Sequence, residues 1–262
     1  MSGVITIARY EVTRRWPLWV VGFGLGLLPL MFTTSPLRST FSDLAEMLVV
    51  LGIVMSWVVA FATGMSLVGK PLHDGRLSFY FTRPIASSSI ASGKILGGVA
   101  AIAGMQLALA LPLMGAPDII GASDRGRLAA GLAFVGTAFF AAGLVVGILA
   151  RSRSRWFIAD AIGGMLAVTA SVAMFAALSD REAEVVRTLV WGNALPLLHR
   201  AQTLLYALVV VAAVVMLGSV IAAVAIGRTD RDRVHRALSF TLWPALTATA
   251  LFGLAFAYWG IR

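Results

Sequence analysis

Seven long apolar segments constrain this chain more than any other feature of its sequence. One of them, Thr203–Ile226, contains no charged residue. A helix that crosses a bilayer needs about 20 mostly apolar residues, because the hydrocarbon core is about 30 Å thick. Membrane barrels instead show alternating strands of about ten residues. The sequence therefore predicts an all-α, polytopic transmembrane bundle of six to seven spans. The segments are Pro17–Ser35, Ala45–Val68, Ile95–Gly115, Leu128–Leu149, Phe157–Leu178, Thr203–Ile226 and Ser239–Trp259.

The composition excludes a soluble globular domain. Charged residues make up 13% of the chain and apolar residues 59%, and the mean hydropathy is +0.90. Soluble domains carry roughly 25% charged residues, because water must wet their surface. The chain has no cysteine, which excludes a disulfide framework and a thiolate metal site.

The Lys and Arg residues divide unequally between the two sides of the predicted bundle. With the amino terminus inside, 14 of the 21 lie on the inner side. Cytoplasmic loops of membrane proteins carry such an excess, so we expect a multi-pass protein of the cell membrane with a cytoplasmic amino terminus. The net charge of +9 is then a topology signal and not a nucleic-acid surface. The inner set is Arg9, Arg14, Arg15, Lys70, Arg76, Arg83, Lys94, Arg151, Arg153, Arg155, Arg228, Arg231, Arg233 and Arg236, and the outer set is Arg38, Arg125, Arg127, Arg181, Arg187, Arg200 and Arg262.

Residues 1–16 have the pattern of an amphipathic helix. Ile5, Ala8, Val12 and Trp16 recur at helical spacing, and the charged residues lie largely on other faces. A helix of this kind lies along the headgroup boundary of a bilayer. The alternative is an ordinary basic flank that fixes the orientation of the first span.

A second helical pattern concerns packing between spans. Gly143 and Gly147 form a small-xxx-small pair, which lets two helix backbones approach closely in lipid. The pair fits packing within one bundle or a dimer face, and intramolecular packing is the commoner use.

One run resembles a nucleotide-binding motif without satisfying it. Gly64–Lys70 fits the first seven positions of a P-loop, but Pro71 replaces the Ser or Thr that would bind Mg²⁺. A P-loop joins a strand to a helix start, whereas this run ends an apolar segment, where the helix dipole repels phosphate. We therefore expect no ATP site in this chain, and no other cofactor.

The remaining polar residues predict no catalytic centre. His73, His199 and His235 are expected in three different loops, without metal-ligand spacing. A membrane-embedded enzyme would need a polar cluster within the spans, and only Glu46, Gln106 and Asp160 approach that description. Asp160 lies close to the predicted inner interface, where we expect an ion pair with nearby arginines. The candidates are Arg153 and Arg155.

The predicted inner loop 69–94 is much longer than a tight turn between helices. It places an apolar, aromatic stretch, Leu77–Phe81, beyond the lipid. Exposed aromatic patches of this kind mark protein interfaces. Ser87–Ser89 then provides a helix start that leads through Lys94 into the third span.

Several short runs occur in a characteristic order. They are Ala8–Glu11, Gly75–Leu77, Thr82–Ala86, Gly93–Lys94 and Gly227–Arg233. In type and spacing they resemble the membrane subunits of ATP-binding-cassette (ABC) exporters, in the branch called type-2 permeases. The resemblance covers most of residues 1–236.

The resemblance implies a function for the loop 69–94. In that family it docks on a separate cytoplasmic ATPase, whose ATP-driven closure rocks two membrane subunits between states. This chain would then be a transporter subunit and not an enzyme, with an ABC ATPase, a second permease subunit and the lipid bilayer as partners. A membrane scaffold that docks an ATPase for mechanical work is the alternative. The implied docking residues are Asp74, Gly75, Arg76, Leu77, Phe79, Tyr80, Phe81, Arg83, Pro84 and Lys94.

The resemblance also divides the chain. Residues 1–16 form the interfacial helix, and residues 17–236 form a six-span permease domain with an external region at 179–200. Residues 237–262 form an extra carboxyl-terminal membrane segment beyond the family's six spans.

Overall fold

The computed structural model describes residues 2–33, 38–73, 86–114, 125–152, 160, 162–166, 169, 195–227 and 230–259. All regular secondary structure within these residues is helical. The helices are α1 (Ser2–Arg14), α2 (Pro17–Thr33), α3 (Arg38–Leu67), α4 (Gly69–His73), α5 (Ser87–Met114), α6 (Arg125–Ser152), α7 (Leu195–Gly227) and α8 (Arg231–Trp259).

Four stretches of the described chain are long and apolar enough to cross a membrane, so the predicted class of helical membrane protein is confirmed. They match the second, third, fourth and sixth predicted spans. The first predicted span forms α2, which is a shorter apolar helix, and most of the fifth lies outside the described residues. The seventh lies within α8, which is not one of the four. The four stretches are Met47–Pro71, Ser87–Met114, Ala129–Ala150 and Ala207–Gly227.

Helices α5 and α6 form the centre of the bundle. Helix α5 packs against α1, α2, α6 and α7, and its Ile102 and Met105 are fully buried beside Phe140 of α6. The outward faces of the bundle are also apolar, as at Val214 of α7, which is 62% exposed. An apolar outer face is costly in water and favourable in lipid.

Helices α3 and α6 approach closely through glycine. A Cβ atom on Gly143 would collide with the carbonyl of Phe61, and one on Gly147 would lie 2.6 Å from the carbonyl oxygen of Met65. The predicted small-xxx-small pair therefore packs within the bundle, against α3. Its use for intramolecular packing is confirmed.

The predicted loop 69–94 is shorter than expected. Residues 69–73 form α4, and the helix start predicted at Ser87 is confirmed, because α5 begins there. The carbonyl of Ala86 accepts hydrogen bonds from the amides of Ser89 and Ile90 at 2.9 and 3.2 Å. Residues 74–86 lie between the two helices, and all of them except Ala86 are outside the described part of the chain.

The domain boundary predicted at residue 236 falls within α8. Asp230 caps this helix, since its carboxylate accepts hydrogen bonds from the amides of Asp232 and Arg233 at 3.0 and 3.2 Å. His235 therefore lies in the first turns of a helix and not in a loop. His199 is also helical, within α7, and residues 179–194 of the predicted external region lie outside the described residues.

Several helix ends meet at one end of the bundle. The hydroxyl of Ser87 donates to the carbonyl of Ala225 at 3.1 Å, which joins the start of α5 to the end of α7. A Cβ atom on Gly69 would collide with the carbonyl of Gly147, so α4 lies against the end of α6. Helix α1 packs on the start of α5. The helix ends that flank the predicted inner loops therefore share one end.

Candidate functional site

A buried ion pair joins α1 to α5 at this end of the bundle. The ammonium of Lys94 lies 2.7 Å from Oε1 of Glu11, and the two residues are only 6% and 2% exposed. Nε of Arg15 lies 3.5 Å from the other carboxylate oxygen of Glu11. We call these three residues the clasp.

Glycines on α5 allow the clasp to form. A Cβ atom on Gly93 would lie 2.8 Å from Cβ of Ile7, and one on Gly97 would lie 2.7 Å from the carbonyl oxygen of Ala8. Because no side chain intervenes, the backbones approach closely and α5 carries Lys94 to Glu11. A larger residue at either glycine would push α1 away and lengthen the ion pair.

The face of α1 that packs on the bundle differs from the predicted apolar face. Ala8 and Glu11 are buried against α5, whereas Ile5 and Trp16 are 63% and 58% exposed. Ile5, Ala8 and Val12 lie in α1 and Trp16 follows it, and the predicted apolar pattern joins residues from two faces of this helix. Sequence periodicity predicts that Glu11 faces solvent, because it contains no information about Lys94, the counter-charge 83 residues away.

The clasp holds two helices in one relative position. A buried charge pair is weak evidence for stability, but removal of one partner leaves an uncompensated charge. Lys94 was predicted to be part of the docking loop, yet it lies in α5 with its ammonium directed at Glu11. The other predicted docking residues, Asp74 to Pro84, lie outside the described residues.

A second buried carboxylate, that of Asp160, contacts one face of α8. It lies against Nε2 of His235 and accepts hydrogen bonds from the hydroxyl of Ser239 and, at 2.9 Å, from the indole nitrogen of Trp243. His235, Ser239 and Trp243 are spaced four residues apart, so they lie on one side of the helix. We call these four residues the Asp160 cluster.

The Asp160 cluster contains the residue types of a hydrolase triad in a different arrangement. The hydroxyl of Ser239 contacts the Asp160 carboxylate and, at 3.1 Å, the backbone carbonyl of His235. A nucleophilic serine needs its hydroxyl on the imidazole, which would accept the proton. The cluster therefore attaches α8 to the segment that carries Asp160. The predicted partners Arg153 and Arg155 lie outside the described residues.

The sequence contained a signal for the Asp160 cluster. Asp230 is a favourable N-cap, and a helix that starts after it brings His235, Ser239 and Trp243 to one face. The basic residues around His235 made a loop the simpler interpretation.

A third polar contact lies deep between α3, α5 and α6. The hydroxyl of Ser56 lies 3.1 Å from Oε1 of Gln106, and both residues are fully buried. The amide nitrogen of Gln106 lies against Gly136, because a Cβ atom there would be 2.6 Å from it. This nitrogen and the indole nitrogen of Trp57 are buried without a hydrogen-bond partner among the described residues.

Comparison of the chain with protein-family models, curated proteins and solved structures found no match. Its function must therefore be inferred from its own residues and their contacts.

Proposed function

We propose that this chain is the membrane subunit of a type-2 ABC transporter of the cell membrane. A separate cytoplasmic ATPase binds and hydrolyses ATP, and residues 74–85 dock on that ATPase. The chain pairs with a second permease subunit and contributes to the path for the transported molecule. Its amino terminus is cytoplasmic, and the bundle has six to seven spans. The resemblance of Gly75–Leu77, Thr82–Ala86 and Gly93–Lys94 to the family supports this proposal.

The clasp is the observation that carries the proposal. Residues 74–85 lead through Ala86 into α5, and Lys94 in the second turn of α5 is ion-paired to Glu11 of α1. A movement imposed on residues 74–85 would therefore reach α1 and α5 together. A transporter that is driven from outside the membrane needs such a rigid connection, because a flexible one would absorb the movement.

Further contacts at the same end spread the movement through the bundle. Ser87 bonds the start of α5 to the end of α7. Within the bundle, the indole nitrogen of Trp19 in α2 donates to the carbonyl of Ala101 in α5 at 3.0 Å. Helix α5 thus contacts most of the helices that would have to rock between two states.

The first test is co-purification from cells in mild detergent. An ATPase with ABC motifs is expected to accompany the full chain. The double variant Phe79→Ala/Phe81→Ala should insert normally and lose the ATPase, because one aromatic anchor lost from an interface costs about 30-fold in affinity. Arg83→Ala is the matched control with a milder effect, since a rim ion pair contributes little. Recovery of the ATPase with the double variant at wild-type yield would contradict the docking assignment.

The second test separates docking from coupling. The double variant Glu11→Leu/Lys94→Met removes the ion pair between α1 and α5 without leaving a buried charge unpaired, and it leaves residues 74–85 unchanged. We expect this variant to retain the ATPase and to hydrolyse ATP, while transport per ATP falls. If the variant transports as well as the natural chain, the clasp has no role in coupling.

A further inference from the structure

Helix α1 presents two parallel stripes of side chains to different surroundings. The inner stripe is Val4, Ala8, Glu11 and the following Arg15; the first three contact α5, and Arg15 contacts Glu11. The outer stripe is Ile5, Arg9, Val12 and the following Trp16. Each of these residues comes directly after a residue of the inner stripe in the chain. Both stripes have the spacing of one side of a helix. The bundle buries Ala8 and Glu11 of the inner stripe, whereas in the outer stripe Ile5 is 63% and Trp16 58% exposed and Val12 is half-buried.

The exposed surface of α1 carries positive charge alone. Glu11 is the only acidic residue among the first sixteen, and it is buried in the clasp. Arg9 and Arg14 are exposed. They project to opposite sides of the helix, because five residues correspond to a rotation of about 140°. Arg9 therefore lies in the apolar outer stripe, and Arg14 lies away from it.

The position of α1 brings the outer stripe to the edge of the lipid. Only two residues separate α1 from the apolar helix α2, and the amides of Leu18 and Trp19 bond to the carbonyls of Arg15 and Trp16 at 3.0 and 2.9 Å. A tight turn of this kind holds Trp16 beside the first turn of α2, where Val20 is 58% exposed. Tryptophan prefers the boundary between hydrocarbon and headgroups.

We infer that the outer stripe is a binding site for anionic phospholipid. Ile5, Val12 and Trp16 enter the acyl chain boundary, and the guanidinium of Arg9 binds the headgroup phosphate. The phosphate matches the planar donor set of arginine, and the negative surface of the lipid complements a helix without an exposed acid. The site requires only a bilayer around the bundle and not the ATPase, so it can fail or succeed independently of the proposed function.

The test uses the purified full chain in nanodiscs of equal phosphatidylcholine and phosphatidylglycerol. Since the chain has no native cysteine, the variants Ile5→Cys and Tyr10→Cys each carry one fluorophore. Tyr10 is the control, because it is 59% exposed on a different side of α1. We expect spin-labelled phosphatidylglycerol to quench position 5 about fivefold more effectively than spin-labelled phosphatidylcholine, the ratio for one arginine at an anionic surface. Position 10 should be quenched weakly by both lipids.

Two arginine variants distinguish a specific site from general attraction. In the Ile5→Cys chain, Arg9→Gln should reduce the preference for phosphatidylglycerol to about one, whereas Arg14→Gln should leave it unchanged. Equal effects of the two substitutions, or a preference that survives Arg9→Gln, would refute the site. Quenching of position 5 by aqueous iodide but not by either lipid would refute it as well, because the stripe would then face water or a protein partner.

Discussion

Glu11 and Asp160, the two carboxylates buried in the described part of the chain, are held in different ways. Glu11 contacts two cationic side chains, Lys94 from another helix and Arg15 from the turn that follows its own helix. Asp160 contacts three side chains from a single face of α8. The clasp joins two helices through full charges, so it depends on both partners at once. The Asp160 carboxylate has three separate side-chain partners, so a substitution of one partner leaves the other two contacts in place. The difference predicts a graded set of mutational effects.

The largest effect is expected for Lys94→Met. The substitution leaves the Glu11 carboxylate buried without its main counter-charge, which costs about 3–5 kcal/mol. Unfolding of the purified protein by a denaturing detergent in mixed micelles measures this loss. A cost below about 1 kcal/mol would mean that Arg15 or water compensates Glu11.

The matched control is the double variant Glu11→Leu/Lys94→Met. Replacing both members of a buried pair by apolar residues of similar volume is often neutral. The double variant should therefore recover most of the stability that the single variant loses. If the two substitutions are additive, the clasp is not a coupled pair.

A smaller effect is expected for Asp160→Asn. The amide keeps one acceptor oxygen but loses the negative charge that the three α8 side chains share. Hydrogen bonds to charged groups contribute about 1.5–3 kcal/mol each, and a loss at the lower end of this range is expected because one acceptor remains. The same detergent titration measures it. A loss as large as that of Lys94→Met would show that Asp160 is as dependent on its charge as Glu11.

Within the Asp160 cluster, Trp243→Phe is expected to cost about 1 kcal/mol, because a single hydrogen bond between membrane helices contributes about 0.6–2 kcal/mol. Trp19→Phe is the matched control. It also removes an indole hydrogen-bond donor, but the acceptor of that bond is the neutral carbonyl of Ala101. The Trp243 variant should lose more stability, because its acceptor is a carboxylate. Equal losses would indicate that the charge of Asp160 adds nothing to this bond.

The spans that the sequence predicted correctly are those set by local pattern. Apolar length predicts α3, α5, α6 and α7, and the serine run predicts the start of α5 at Ser87. Hydropathy assigns Lys94 to a loop because it averages over neighbouring residues in the sequence. Glu11, whose carboxylate allows Lys94 to be buried within a helix, is too far away in the chain to enter that average. The same limitation placed His235 in a loop and Ser239 in a span, although both lie in α8. The cationic residues around His235 favour a loop, and its partner Asp160 lies 75 residues earlier in the chain.

The candidate site was harder to predict than the fold, because it consists of pairs distant in the chain. Glu11 belongs to the inner stripe of α1, and only the close approach at Gly93 and Gly97 determines which stripe is buried. Glycine spacing alone predicts that some helix packs there, as it does for Gly143 and Gly147. The partner helix follows from the assembled bundle.

The smallest expected effect has the opposite sign and concerns Gln106. The hydroxyl of Ser56 lies 2.7 Å from the carbonyl of Ile53 and 3.1 Å from the Gln106 amide. Its single proton can serve only one of these acceptors. One end of the amide also lies against Gly136 without a partner. Gln106→Met keeps the shape, removes both polar atoms and leaves Ser56 bonded to Ile53, so it should be neutral or stabilising by up to about 1 kcal/mol.

Ser56→Ala is the matched control for Gln106→Met. It removes the hydroxyl that contacts the amide oxygen of Gln106, so this oxygen is left buried without a partner and the protein should lose about 1 kcal/mol of stability or more. Detergent titration of both variants gives the two signs directly. A loss of stability in Gln106→Met would mean that the amide has a partner in the membrane, such as a bound water. Gln106 would then stabilise the bundle, as Glu11 and Asp160 are expected to do. Its amide could no longer be contrasted with these two carboxylates as a buried polar group without a partner.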